Sequence, residues 1–303
     1  MLELDKILVV IEPDSESQPA LEKAVQLAEY ADSELELITA DYNPYLERSY
    51  YFDDPIQTEK IRDEHDEQQR QKMEAIAVLL RDQGLKVSVT SAWGNPPYEE
   101  IVRYVEKSKP SIVIKSTHRH NKLSRLLLSN EDWELIRYCP TPLLLTKSQQ
   151  WRSNPVFLAA VDPGHMNDKS AALDHKIIES AQSLSAISGG EVHLFHSAWM
   201  PPLAGVYKLH ADNEEESNKL SALAEANEVC SSMCHLSNEY LVDSLPALAR
   251  ELDASALVIG AVSRSRLDRV LIGSMAEKVL DNLQCDVLIV KTDDMAARTK
   301  ALL

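Results

Sequence analysis

Apolar residues along this chain fall into two alternating patterns. Short uncharged runs rich in branched side chains read as strands buried on both faces, and longer stretches with apolar positions three and four apart read as helices. In the first half the pattern predicts strands at Ile7–Ile11, Glu34–Ala40, Lys86–Ala92, Ser111–Lys115 and within Cys139–Lys147, separated by helices over Gln18–Tyr30, Thr58–Gln83, Pro97–Lys107 and Asp132–Tyr138. The second half repeats the scheme. Lys6–Pro13 matches Val156–Pro163, each an apolar strand ending on an acidic residue and a proline, and strands follow at Glu191–Ala198, Ser232–Ser237, Ala256–Ile259 and Cys285–Lys291. Helices are predicted over Ala171–Ser188, Asn213–Cys230, Asp243–Leu252 and Met275–Leu283. Two irregular connections interrupt the regularity: Asp41–Pro55, with five tyrosines and phenylalanines among acidic residues, and Trp199–Tyr207, punctuated by proline and glycine.

Alternating strands and helices, with strands apolar on both faces, imply an α/β fold with a parallel sheet covered on both sides. A repeat at half the chain length implies two such units in tandem: residues 1–147, a linker at 148–154, and residues 155–303. Each is a doubly wound domain with a five-stranded sheet.

Composition narrows the function. The 303 residues carry 31 Lys and Arg against 48 Asp and Glu, a formal net charge of −17. Both halves share the excess, with 18 basic and 27 acidic residues in 1–150 and 13 and 21 in the remainder. Nucleic acid and anionic membrane surfaces are poor partners for such a chain. No apolar run approaches the ~20 residues of a membrane span, and the first residues carry no basic region ahead of an apolar segment. The four cysteines form no disulfide framework, which fits a reducing compartment and a cytoplasmic location.

One stretch carries candidate chemistry. Ala256–Ile259 ends on Gly260, where the backbone can turn sharply. A basic loop with Arg264, Arg266 and Arg269 follows, closing on Gly273-Ser274 before Met275, Val279 and Leu280 resume helical spacing. Free N–H groups at such a helix start favour an anion, so the stretch reads as a phosphate cradle. Gly260, two residues, Ser263, nine residues and Gly273-Ser274 resemble the G-x2-G-x9-G-[S/T] nucleotide motif of the universal stress protein family, with Ser263 where the family has its middle glycine. The tandem arrangement resembles the fused two-domain members of that family.

The resemblance implies strand order 3-2-1-4-5 in each domain, a pseudo-twofold relation between them, and pairing of their terminal strands. Ligands of doubly wound sheets bind where the strand order reverses, here between strands 1 and 4. It implies a ligand of ATP or a related nucleotide, with Mg2+ accompanying it. Backbone groups of Ala160, Val161 and Asp162 would meet the adenine, with Asp162 in reach of ribose or a metal. Gly260 would admit the nucleotide. Ser263, Gly273, Ser274 and the helix opening at Met275 would hold phosphates, and Arg264 or Arg269 would neutralise them. Asp162 as a turn cap, Gly260 as a strand-end turn and Ser274 as a helix N-cap remain open alternatives.

The first half lacks this constellation. On the same frame Lys115 takes the place of the first glycine, His118 the second, and Leu128-Ser129 the Gly-Ser pair. Ser129 and Asp132 read as a capping box, and Glu131, Asp132 and Glu134 already supply negative charge to that helix start. Glu12 and Lys115, ending strands 1 and 4, are expected to pair and plug the crevice, leaving a degenerate copy. Elsewhere, Cys230, Cys234 and His235 lack a fourth ligand at zinc spacing, and His193 and His196 point to opposite faces of a strand.

No nucleophile elbow, Walker lysine or paired carboxylates appear, so binding rather than turnover is expected; the resemblance implies at most slow ATP hydrolysis or autophosphorylation at Ser263 or Ser274. Three readings follow: a nucleotide-binding sensor, a binder of a different or amphiphilic small molecule, and a ligand-free interaction scaffold that self-associates or meets a protein partner.

Overall fold

A computed structural model of the chain describes residues 2–42, 55–117, 128–147, 150–164, 171–199, 213–263, 270–271 and 274–300, with backbone alone at 55–59, 262–263, 270–271, 274–276, 281 and 298–300. In the first half, β1 (Lys6–Val10), α1 (Pro19–Ala31), β2 (Glu34–Asp41), α2 (Pro55–Asp82), β3 (Lys86–Trp93), α3 (Pro97–Ser108), β4 (Ile112–Ser116), α4 (Asn130–Tyr138) and β5 (Leu143–Thr146) alternate strictly. The second half gives β6 (Val156–Ala160), α5 (Ala171–Ser188), β7 (Glu191–Ser197), α6 (Asn213–Ala226), β8 (Cys234–Ser237), α7 (Leu241–Glu251) and β9 (Ala256–Gly260). A short hairpin of β10 (Val262–Ser263) and β11 (Val270–Leu271) follows, then α8 (Ser274–Asn282), β12 (Asp286–Val290) and α9 (Asp293–Lys300).

Ten strands form one continuous sheet in the order β3-β2-β1-β4-β5-β12-β9-β6-β7-β8. Each domain therefore contributes the order 3-2-1-4-5. Within a domain the pairing is parallel, whereas β5 and β12 meet antiparallel, with Leu143, Leu144 and Leu145 opposite Ile289, Leu288 and Val287. An uncovered terminal strand would be a hydrophobic edge open to further pairing, and this junction covers both.

Strand periodicity sends alternate residues to opposite faces, so two apolar cores form. One gathers Ile7, Val9, Leu144, Phe157, Ala159 and Leu288 beneath α1, α2, α5 and α6. The other gathers Leu8, Val10, Leu145, Leu158, Leu257 and Ile289 beneath α3, α4, α7 and α8. Each core crosses the junction and contains residues of both domains.

Polar groups at the junction are buried and matched. Lys147, after β5, donates from Nζ to the Leu283 carbonyl beyond α8. Lys291, after β12, donates to the Arg137 and Cys139 carbonyls at the end of α4, at 3.0 and 2.5 Å. Each domain's lysine thus supplies donors to the carbonyls left open at the other's helix C-terminus, where a cation is favoured. A second cluster has no such symmetry. Asp286 accepts from the Lys147 backbone N–H and from Trp151 Nε1, both at 2.8 Å, and pairs with Lys23 Nζ of α1 at 3.3 Å. The Lys23 ammonium also lies 4.3 Å from the centre of the Trp151 ring.

The structure moves several expected ends: α2 begins earlier, at Pro55 rather than Thr58, α6 stops short, at Ala226 rather than Cys230, and the basic loop contains the β10–β11 hairpin. Asp286→Ala should destabilise the chain by roughly 3–5 kcal/mol in urea unfolding, because Lys23 would be left as a buried charge without its carboxylate. Burial also brings the Lys291 ammonium down from 10.5 to about 8. Between those values the unfolded chain holds a proton that the folded chain has released, so stability rises with pH across the window. The stability advantage of the wild type over Lys291→Met should grow by up to about 3 kcal/mol from pH 8 to pH 10.5, read by urea unfolding at each pH.

Candidate functional site

The strand order reverses between β1 and β4 in the first domain and between β6 and β9 in the second. The two crevices are framed alike. Ser111 N–H donates to the Lys6 carbonyl and Ser255 N–H to the Val156 carbonyl; farther along, Thr117 N–H meets the Thr146 carbonyl and Ala261 N–H the Val290 carbonyl. This register superposes Ser116 on Gly260 and Lys115 on Ile259, one position away from the alignment expected from spacing. Likewise α4 starts at Asn130 and α8 at Ser274, so Asp132 stands where Ala276 does.

The first crevice is closed by charge. Lys115 is 3% exposed and its Nζ lies 2.8 Å from Asp132 Oδ1 and 3.6 Å from Glu131 Oε1. Asp132, fully buried, also accepts from the Ser129 N–H at 2.7 Å, while its own N–H donates to Ser129 Oγ at 3.1 Å. The predicted capping box therefore forms, and its carboxylate serves as the counter-ion of the buried lysine. Burial alone would lower the Lys115 ammonium, but Asp132 and then Glu131 outweigh it and hold it above the usual lysine range. Glu12, expected as the partner, adds only a smaller electrostatic contribution to the same ammonium. The reason is geometric: Asp132, in the first turn of α4, points at the end of β4 from above, where both a helix N-terminus and an ammonium favour a carboxylate.

In the second domain Ile259 and Ala276 occupy the positions of that ion pair. Ala160 ends β6, and Val161 and Asp162 follow it, both buried. Val161 N–H is spent on the Phe195 carbonyl at 2.9 Å, and its carbonyl accepts from His196 Nδ1 at 3.2 Å, so this residue's main chain is already engaged. Asp162 N–H donates to Asp174 Oδ1 of α5 at 3.0 Å. Gly260 ends β9 on the same edge of the sheet as Asp162, and a Cβ there would sit 2.6 Å from Leu173 Cγ and Cδ2. A side chain at 260 would therefore require Leu173 to shift, with or without a ligand. Ser263 lies in β10, and Ser274 and Met275 open α8. Arg264, Arg269 and Gly273, with His118 of the first domain and most of the Asp41–Pro55 and Trp199–Tyr207 connections, lie outside the described residues.

The expected separation of the two β7 histidines holds: His193 Nδ1 lies 2.9 Å from His235 Nε2, whereas His196 joins Val161 to Glu216. The His196 and Glu216 pair was not anticipated from sequence; the available signal was a histidine near a strand end followed by the acidic first turn of α6. Cys139, Cys230, Cys234 and Cys285 are free thiols, and among the described residues no cluster of three metal-ligating side chains occurs. A cavity of about 340 Å³ is lined by Pro163, Ala171, Asp174, Lys219, Ala222 and Leu223, beside the β6 edge. Among the described residues no helix is long and apolar enough to cross a membrane.

A profile of the Universal stress protein family matches residues 3–147 and 158–291. Universal stress protein E of Photorhabdus laumondii is 26% identical over 312 residues, covering 99% of each chain, and its Escherichia coli (strain K12) counterpart is 26% identical over 297 residues, covering 95% of this chain and 94% of that one. Among solved structures, a functionally unknown protein from Pseudomonas aeruginosa PAO1 superposes with a TM-score of 0.78 at 26% identity, covering 99% of this chain and 97% of the other.

The plug in the first domain is testable by exchange. Asp132→Ala alone should cost roughly 3–5 kcal/mol, since it strips a buried ammonium of its nearest carboxylate and removes a helix cap. Adding Lys115→Ile, which reproduces the second domain's pair, should restore most of that loss in urea unfolding.

Proposed function

The chain belongs to the universal stress protein family, and from that membership we propose that it is a cytoplasmic stress-response protein whose second domain binds ATP or a related nucleotide as a sensor or regulator. The observation that carries this reading is the paired replacement at the two switch points. Lys115 and Asp132 fill the first crevice, whereas Ile259 and Ala276 put neither a buried ammonium nor an N3 carboxylate at the corresponding helix start in the second. Glu277 is the acidic residue in the first turn of that helix, and the free N–H groups ahead of it are the feature that favours an incoming phosphate. Gly260, Ser263, Arg264, Arg269, Gly273, Ser274 and Met275 supply the cradle, with Mg2+ balancing the phosphates, and the Ala160–Asp162 edge faces the base or ribose. The role is binding; the first domain, residues 1–147 ahead of a linker at 148–154, acts as scaffold.

A second reading has its own support. The 340 Å³ cavity beside Pro163 is walled by Ala171, Ala222 and Leu223 with Asp174 and Lys219 at its margin, a lining suited to an amphiphilic ligand with a polar end.

Transplanting the plug separates these readings. In native mass spectrometry the wild type should retain one nucleotide per chain when titrated with ATP. Ile259→Lys with Ala276→Asp should abolish that binding, by at least about a hundredfold, while circular dichroism and unfolding remain those of a folded protein. A different retained mass that survives the double substitution would favour the amphiphile, and no ATP binding at millimolar concentration would end the nucleotide reading.

A further inference from the structure

Several parts of the second domain meet α4 of the first. Lys291, after β12, donates to the Arg137 and Cys139 carbonyls at its C-terminal end. Helix α9 lies against it, with Met295 packed on the apolar core that both domains share. The backbone of β11, at Val270–Leu271, also comes within 8 Å of α4, Cα to Cα. β11 is the return strand of the hairpin that opens with Val262, close behind β9, and it leads directly to the start of α8 at Ser274. The hairpin therefore carries the chain from the sheet edge at the second crevice to the helix start where a phosphate is favoured.

The flank of α4 that faces this hairpin follows from helix geometry. Asp132, Leu135 and Ile136 form its buried face, and Trp133 and Tyr138 lie about 140° apart around the axis, one on either side of that face. Tyr138 stacks on Tyr98 of α3, with ring centres 5.7 Å apart, so its flank is turned toward the rest of the first domain. Trp133, half-buried, packs on the shared core from the other flank, turned toward β12 and the second domain. The start of α4 is tied to the end of β4 by the Ser129 capping box and the Lys115–Asp132 ion pair. A fixed helix of one domain thus stands beside the candidate phosphate loop of the other.

We propose that α4 of the first domain seats the second domain's phosphate hairpin, and that Trp133 is a positioning residue for nucleotide binding in the second domain. The inference rests on the nucleotide reading of that domain. Binding requires the hairpin in one arrangement, and affinity scales with the fraction of chains that hold it. The indole on the flank of α4 supplies apolar surface that favours the seated arrangement. The ion pair that closes the first crevice then also fixes the helix on which the other domain's loop rests.

Calorimetry of ATP binding and amide exchange at Val270 and Leu271, on the full-length wild type, Trp133→Ala, Trp133→Phe and Tyr98→Ala, test this. Tyr98→Ala removes a ring packed on the opposite flank of α4 and controls for general loosening of the helix. Trp133→Ala should weaken ATP binding about tenfold, as when the hairpin is seated in roughly a tenth of the chains, and should speed exchange at both amides. Trp133→Phe should recover most of the affinity, and Tyr98→Ala should leave both readouts at wild-type values. Unchanged affinity or unchanged exchange in Trp133→Ala, or equal losses in Tyr98→Ala, would overturn the proposal. If Trp133→Ala does not fold, 5-fluorotryptophan labelling decides: the ¹⁹F resonance missing from Trp133→Phe should shift when ATP saturates the wild type, and a resonance that stays in place overturns the proposal. Absence of ATP binding by the wild type at millimolar concentration overturns the nucleotide reading and the positioning role with it. Faster exchange in Trp133→Ala but not in Tyr98→Ala would then still uphold the seat, and exchange alike in both would refute it.

Discussion

Leu143, Leu144 and Leu145 lie antiparallel to Ile289, Leu288 and Val287, and the architecture depends on that contact. Each strand terminates a five-stranded parallel sheet, and either one alone would present backbone donors and acceptors beside an apolar surface. Pairing them satisfies those groups and joins two sheets into one of ten strands. The antiparallel sense follows from relating two similar units by a pseudo-twofold axis, as in an isologous dimer. Lys147 and Lys291 obey the same axis, each reaching the carbonyls beyond the other domain's last helix. Both apolar cores run through the junction, so the stability of either domain is bound to that of its neighbour.

Duplication within one chain lets the two crevices diverge without altering the frame. Lys115 and Asp132 face Ile259 and Ala276 at matched positions. In the first domain, a buried ion pair takes over the helix start and closes the space between strands 1 and 4. In the second, that charge is absent and His196 joins the Val161 carbonyl to Glu216. Asymmetric electrostatics on a symmetric scaffold separates structural duty from the proposed ligand duty.

The alternation of elements and the half-length repeat were legible, because burial on both faces leaves an uncharged run that sequence displays directly; the strand order followed only from the family resemblance. The capping box at Ser129 was legible for a similar reason: its partners are three residues apart. The partner of Lys115 was not. Glu12 shares the sheet edge with it, but Asp132 reaches it because α4 descends onto the end of β4, and a one-residue error in the assumed register obscured that relation. Gly260 was read as an opening for a ligand, whereas its nearest demand is room for Leu173. His196 and Glu216 are 20 residues apart across an irregular connection, and neither local pattern names the other.

The sequence by itself determined the class of the fold, its division into two similar halves and the location of the candidate phosphate stretch, since periodicity, apolar runs and helix-start chemistry are local properties of a chain. Only the tertiary structure decided which charges neutralise one another, which carbonyls the buried lysines serve and how the two sheets become one. Those outcomes depend on directions and distances between elements remote in sequence. A buried charge finds its partner among whatever groups packing brings within a few ångströms, and the order of residues along the chain does not record that neighbourhood.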